Sequence, residues 1–179
     1  MPSEPASGGA LPLGWAFKEW AAICRALVQG RQRIILRKGG IVEPGGSFRI
    51  EHRDFLLLPT FVHQAAESLK PEALDLLLDI DADRPPVGTV VFRHRARVTD
   101  AAEVRSLAEL ERLRGEHVWS DAVVAERFHR WQDLLHVLHV EIAALPEPIS
   151  RPWDEAFGGC RSWAQVDRPV VAAPARPGT

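Results

Sequence analysis

The chain has 179 residues, of which 46% are hydrophobic and 26% charged, and its formal net charge is −2. That composition describes one domain with a hydrophobic core and excludes a disordered chain, a collagen-like repeat and a disulfide-dense miniprotein. Near-neutral charge also excludes a polyanion binder that works by bulk positive charge, although not one that works through a local patch.

Residues 1–12 and 168–179 are rich in Pro, Gly, Ala and Ser and read as flexible tails around a single domain over 13–167. Phe17, Trp20, Ala21, Cys24, Leu27 and Val28 recur at helical spacing. They predict a first helix with Lys18, Glu19, Ala22 and Arg25 on its other face and Gly30 as its stop. QRIILR, residues 32–37, is a short β-branched run that predicts a strand. The turn signals Gly39-Gly40 and Pro44-Gly45-Gly46 follow, then a second strand around Phe55–Leu58. A helical segment starts near Phe61, and Pro71 opens PEALDLLLD in the manner of a first helical turn. The acidic, proline-paired stretch 79–88 reads as a loop.

Beyond it, residues 88–98 alternate, with Phe92, His94, Ala96 and Val98 on one face of a strand and Arg93, Arg95 and Arg97 on the other. Asp100 and Glu103 resemble a capping box for a helix through Leu113. Ser120-Asp121 starts another helix with the stripe Val124, Phe128 and Trp131, and residues 135–145 form a last apolar strand ending at Pro146. The mixed order predicts an α+β fold: a small mixed, curved sheet or partly closed β-barrel with helices packed outside.

Two cysteines, Cys24 and Cys160, are too few for a disulfide framework and suit a reducing compartment. The N-terminus lacks a basic region and is interrupted by Pro12 and Gly14, and no apolar run approaches the roughly 20 residues that span a bilayer. The expectation is a cytoplasmic protein with no membrane partner, of open oligomeric state. Nineteen of its 22 basic residues are Arg, which suits bidentate recognition of phosphate or carboxylate but also follows from genomic base composition.

The run AFKEWAAICRAL, then LRKGGI, the spaced His52, Phe55, Pro59-Thr60 and His63-Gln64, then HVW and GGCRSW together resemble a prokaryotic family, domain of unknown function 1802 (DUF1802). The resemblance covers nearly the whole ordered chain and implies a bacterial or archaeal cytosolic protein, with no activity to transfer. At the level of fold alone, the element order is similar to the small RNA-binding barrels of the PUA and ASCH type.

A functional site must therefore be read from the residues. Arg37, Lys38, Gly39 and Gly40 put two cations and a turn of permissive backbone at a strand end, an arrangement that suits phosphate and equally suits an ordinary hairpin turn. A hairpin of the first two strands would bring His52, Thr60, His63 and Gln64 back to them, with Lys18 and Glu19 closing the group from the helix. Arg93, Arg95 and Arg97 stand about 7 Å apart on one side of a strand, which loosely matches a nucleic-acid backbone or, alternatively, cross-strand pairing with acids such as Glu141.

Several chemistries drop out. Neither GxxxxGK[ST] nor GxGxxG is present, and no HExxH, CxxC pair or zinc spacing occurs, so no cofactor or metal is expected. The residues two before each lysine are Ala16, Leu36 and Ser68, which removes the usual acid–lysine pair of metal nucleases. Cys160 beside Arg161 has the cation that favours thiolate but no assured base, and Trp20, Trp119, Trp131, Trp153 and Trp163 read as core or hinge packing residues. The leading expectation is a nucleic-acid or other phosphate-binding module using Lys18, Arg37, Lys38, Gly39, Gly40, Thr60, Gln64, Arg93, Arg95 and Arg97. The alternatives are a phosphoester-processing enzyme with His52, His63 or Glu19 as acid or base, or a structural adaptor without catalysis.

Overall fold

Strand-forming runs dominate the chain, and in the computed structural model they assemble into one mixed six-stranded sheet and a small hairpin. The structure describes residues 11–38, 41–42, 48–49, 52–159 and 161–172. The strands are β1 (Leu11–Trp20), β2 (Ile34–Arg37), β3 (Ile41–Val42), β4 (Phe48–Arg49), β5 (Asp54–Thr60), β6 (Thr89–Val104), β7 (Leu135–Pro152) and β8 (Trp163–Ala172). The large sheet has the order β2-β7-β6-β5-β1-β8, and β3 pairs with β4 alone. Among the described strands only β1 and β5 run parallel; the other pairs are antiparallel. The sheet does not close into a barrel, since β2 and β8 are its two ends. With α1 (Ala21–Val28), α2 (Leu107–Arg112) and α3 (Asp121–His129), this is an α+β fold.

Several local expectations give way to the sheet. Phe17 and Trp20 lie in β1, not in a helix, because Ala16–Trp20 pair with Leu56–Thr60 on one side and β1 also pairs with β8 on the other. Two ladders outweigh the helical spacing, and α1 starts only at Ala21, where pairing ends. Gly30, at φ 71°, stops α1 as expected. Asp100 and Glu103 likewise stay in β6, which continues opposite Leu135–His139; α2 begins later, after Ser106. Trp131 lies beyond α3, at φ 66° and 84% exposed, rather than on its apolar stripe. Residues 71–77 form a 3₁₀ helix whose buried Ala73 and Leu76 match a three-residue repeat. β1 begins at Leu11 and β8 ends at Ala172.

Alternation along β5 divides the apolar residues between two cores. Phe55 and Leu57 join Phe17, α1, β2 and α3 on one face, while Leu56 and Leu58 join Leu13, Ala16, Val90 and Phe92 on the other. Among the described residues no helix is long and apolar enough to cross a membrane.

One buried pair makes stability depend on pH. Lys70 donates to the carbonyls of Arg114 and His117, the latter at 2.6 Å, and both Lys70 and His117 are buried. Burial, then the Lys70 charge, pushes the His117 pKa down to about 4. Between its unfolded value of 6.5 and about 4 the unfolded chain holds more protons, so this contribution is complete above pH 6.5 and is lost as pH falls through 4. It is on the order of 3 kcal/mol. His117→Gln, neutral at every pH, is expected to flatten that part of the stability profile measured by urea unfolding; an unchanged slope would refute the assignment.

Candidate functional site

The strand period decides the geometry of the site. Lys18 and Glu19, adjacent in β1, point to opposite faces of the sheet. Lys18 donates to the carbonyls of Gly158 (2.5 Å) and Gly159 (2.9 Å). Glu19 faces the other way, where its Oε1 accepts from the Trp20 N–H at 2.8 Å. Thr60 at the end of β5 donates to the Glu19 carbonyl at 3.1 Å. Gln64 accepts from the Ala22 N–H at 3.1 Å and donates to the Thr60 carbonyl at 2.7 Å. Thr60 and Gln64 thus pin the end of β5 to the start of α1 and hold Glu19 in place.

Around Glu19 runs a row of aromatic rings and guanidinium groups. Although β2 and β8 end the sheet, its curvature sets Arg37 of β2 against β1 and β8, with Cζ 5.5 Å from the Phe17 centroid and 5.2 Å from that of Trp163. Trp163 packs edge-on against Phe17, Phe55 and His52 at 5.0, 4.9 and 4.9 Å. His52 in turn stacks on Trp15, 4.1 Å between centroids and 17° between planes. On the other side of Glu19, Arg127 of α3 lies 3.9 Å over Trp119, which packs edge-on against Trp20 at 5.0 Å. Trp15, Glu19, Trp20, Arg37, His52, Arg127 and Trp163 are all partly exposed, while Phe17, Phe55 and Trp119 form the buried backing.

Burial pushes the Glu19 carboxyl pKa up, against the opposing pull of Arg127, the Trp20 N–H and Arg37. Burial also lowers the Arg127 pKa, with Glu19 opposing. The Glu19 carboxylate and the Arg127 guanidinium are therefore incompletely compensated for their lost water. Because the folded pKa of Glu19 lies above its unfolded one, the group favours folding at acid pH and its charge costs stability once pH rises through the folded value. Glu19→Gln is expected to raise Tm at neutral pH, by about 2–4 °C for each kcal/mol relieved, with the gain vanishing below the ordinary carboxylate range. Calorimetry at neutral and acid pH tests this; a lower Tm at neutral pH would show that the charge stabilises the fold.

The sequence groups these residues differently. The first two predicted strands do not pair: β2 pairs with β7, and β5 with β1 and β6. Glu19, Thr60 and Gln64 nonetheless come together through the β1–β5 pairing, and Arg37 and His52 meet on Trp163. Lys38 does not join them; its ammonium donates to the carbonyls of Phe128 (2.8 Å) in the last turn of α3 and of Gln132 and Leu134 (2.9 Å) just after it. His63 is exposed at φ 60°. The arginine stripe is broken: a register shift follows Phe92, Arg95 is buried, and Arg97 pairs with Asp54 at 2.8 Å opposite Glu141. Gly39, Gly40 and Cys160 lie outside the described residues. Trp15, Trp20, Trp163 and Arg127 are the residues that sequence reasoning missed; Trp15, Phe17 and Glu19 at i, i+2 and i+4 were the signal, legible only on a strand. Cys24 is buried, and burial raises its thiol pKa well above the ordinary value. Among the described residues no three His, Cys, Asp or Glu side chains are placed to hold a metal ion.

A family model described as Domain of unknown function (DUF1802) matches residues 16–177. The chain belongs to the DUF1802 family. No curated protein matches its sequence. The fold of this DUF1802 protein is similar to that in the crystal structure of ASCH from Zymomonas mobilis, with TM-score 0.50 and 12% identity over 85% of this chain and 86% of that one. A serine-to-alanine mutant of the same protein matches with TM-score 0.50 and 12% identity, covering 87% and 91%. At that identity the likeness establishes the fold alone.

Proposed function

We propose that this DUF1802 protein is a cytosolic binding module for single-stranded nucleic acid, with the Glu19 row as its contact surface. The observation that carries the reading is the pair of ring-and-guanidinium groups, Arg37 on Trp163 and Arg127 on Trp119, whose charges both act on the Glu19 carboxylate. Unstacked bases pair their faces with aromatic rings and Arg planes, and arginines neutralise phosphates. A carboxylate accepts hydrogen bonds from amino and imino groups on a base edge, which gives Glu19 a role in base choice. Arg37, His52, Arg127 and the exposed faces of Trp15, Trp20 and Trp163 supply the platform; Thr60 and Gln64 position Glu19. The fold shared with ASCH supports the reading in the same direction, as a likeness of architecture.

A second reading rests on the raised pKa of Glu19 beside two guanidinium groups, which suits a general acid acting on a phosphoester. One experiment separates the two. Fluorescence anisotropy with labelled single- and double-stranded RNA and DNA at two salt concentrations is expected to show binding to single strands that weakens as salt rises. Shortened probe on a denaturing gel, lost in Glu19→Gln, would favour the enzyme. Absence of binding to all four probes would overturn the nucleic-acid reading and leave the enzyme reading only for phosphoesters other than nucleic acid.

A further inference from the structure

The ladder between β5 and β6 stops early. Only Asp54, Phe55 and Leu56 of β5 find partners in β6, opposite Arg97, Ala96 and Arg95. Beyond that point Leu57–Thr60 stay paired to β1, and Thr89–Phe92 stay paired to β7. The two strands therefore fork, and each turns one backbone edge to the gap. A cavity of about 570 Å³ fills the fork, closed by α1 on one side and by the loop 83–88 on another. Its size is that of a small-molecule pocket.

Three features state what would fill it. Leu57, Val90, Phe61, Trp153 and Phe157 give apolar, largely flat walls, and Trp153 is 52% exposed. The roof and this wall are joined in advance, because the Trp153 N–H donates to the Gly88 carbonyl at 2.8 Å. Gly158 leaves room for the Trp153 ring, which a Cβ there would meet at 3.2 Å. Next, two diverging strand edges present main-chain donors and acceptors, groups that demand partners and suit the heteroatom edge of a planar ring. Charge comes last. Arg25, Arg84 and Arg93 line the gap against the single acid Asp83, which Arg25 already holds at 2.7 Å. Arg84 lies 5.0 Å over Phe61 and pairs with Asp81. Arg93, exposed, has no hydrogen bond or ion pair among the described residues, and His94 stands next to it.

We propose that the fork between β5 and β6 binds a flat heterocycle or aromatic ring carrying one anionic group, with the ring against Trp153 and Phe157 and the anion on Arg93. The site goes beyond the nucleic-acid reading; Thr60 and Cys24 line it and also touch the Glu19 main chain. A free nucleotide and an aromatic carboxylate both have this chemistry, and the probes distinguish them. Isothermal titration is done with the four nucleoside 5′-monophosphates, with indole-3-acetate and with inorganic phosphate. At least one ring-bearing anion is expected to bind, while phosphate alone does not. Arg93→Ala and Trp153→Ala, both at exposed positions that should leave folding intact, are each expected to weaken that binding by about tenfold or more. Nucleotides binding and indole-3-acetate failing would assign the site to nucleotides; the reverse would assign it to carboxylates. The proposal is overturned if no ring-bearing anion binds the folded protein, if phosphate binds as well as they do, or if neither substitution changes the affinity.

Discussion

Arg127→Ala is expected to weaken binding of a single-stranded RNA by about tenfold or more, which is about 1.4 kcal/mol. The guanidinium lies 3.9 Å over Trp119 and is partly exposed, and in the proposed reading it is both stacking plane and phosphate partner. Its removal also deprives Glu19 of the larger of its two opposing cations, so the carboxyl pKa rises further. The fold should lose little: a cation over a ring contributes about 1–2 kcal/mol, or a few degrees of Tm in a domain of this size. Arg127→Lys, which keeps the charge but not the plane, is expected to fall between the two. Anisotropy at fixed salt measures the affinities. An unchanged Kd in a folded Arg127→Ala protein would remove α3 from the interface.

Lys38→Met is expected to have the largest effect on stability and none on binding. The Lys38 ammonium converges on the carbonyls of Phe128, Gln132 and Leu134, and so ties β2 to the chain just past α3. Desolvation lowers its pKa, with Asp133 opposing. Hydrogen bonds to a charged group contribute about 1.5–3 kcal/mol each, and water recovers part of that at the exposed carbonyl. A net loss of about 3 kcal/mol, or about 6–12 °C in Tm, is the expected result by thermal denaturation. Affinity for single-stranded RNA, measured well below the new Tm, should be retained. Loss of binding without loss of stability would instead return Lys38 to the phosphate-binding role that its neighbour Arg37 suggests in sequence.

These two residues show where the sequence is legible and where it is not. Short β-branched or alternating runs stand out locally: of the expected strands, 55–58 and 135–145 fall within strands of the structure, and 32–37 and 88–98 do so except for Gln32, Arg33 and Gly88. Capping chemistry at Ser120 and the glycine stop at Gly30 are equally local and equally visible. β1 is different, because the spacing of Phe17, Trp20, Ala21 and Cys24 fits a helix, and only its two partner strands, more than 30 residues away, decide otherwise. That one change of period moved Lys18 away from Glu19 and hid the alignment of Trp15, Phe17 and Glu19. The site was half legible for the same reason. Arg37, His52, Glu19, Thr60 and Gln64 stand out as polar residues at element ends. Arg127 and Trp163 look like ordinary helix and terminal-strand residues until the curvature of the sheet faces them toward Glu19. The arginine stripe of β6 failed in the opposite sense: its alternation is real, but a register shift and the packing of both faces give its three members separate surroundings.

The most direct test of the central claim is to cross-link a photoreactive single-stranded RNA to the protein and map the modified residues by mass spectrometry. Adducts on Trp15, His52, Trp163 and the Arg127 segment of α3 are the expected result. Adducts confined to Arg93–Arg97 of β6, or none at the Glu19 row despite measurable binding, would contradict it.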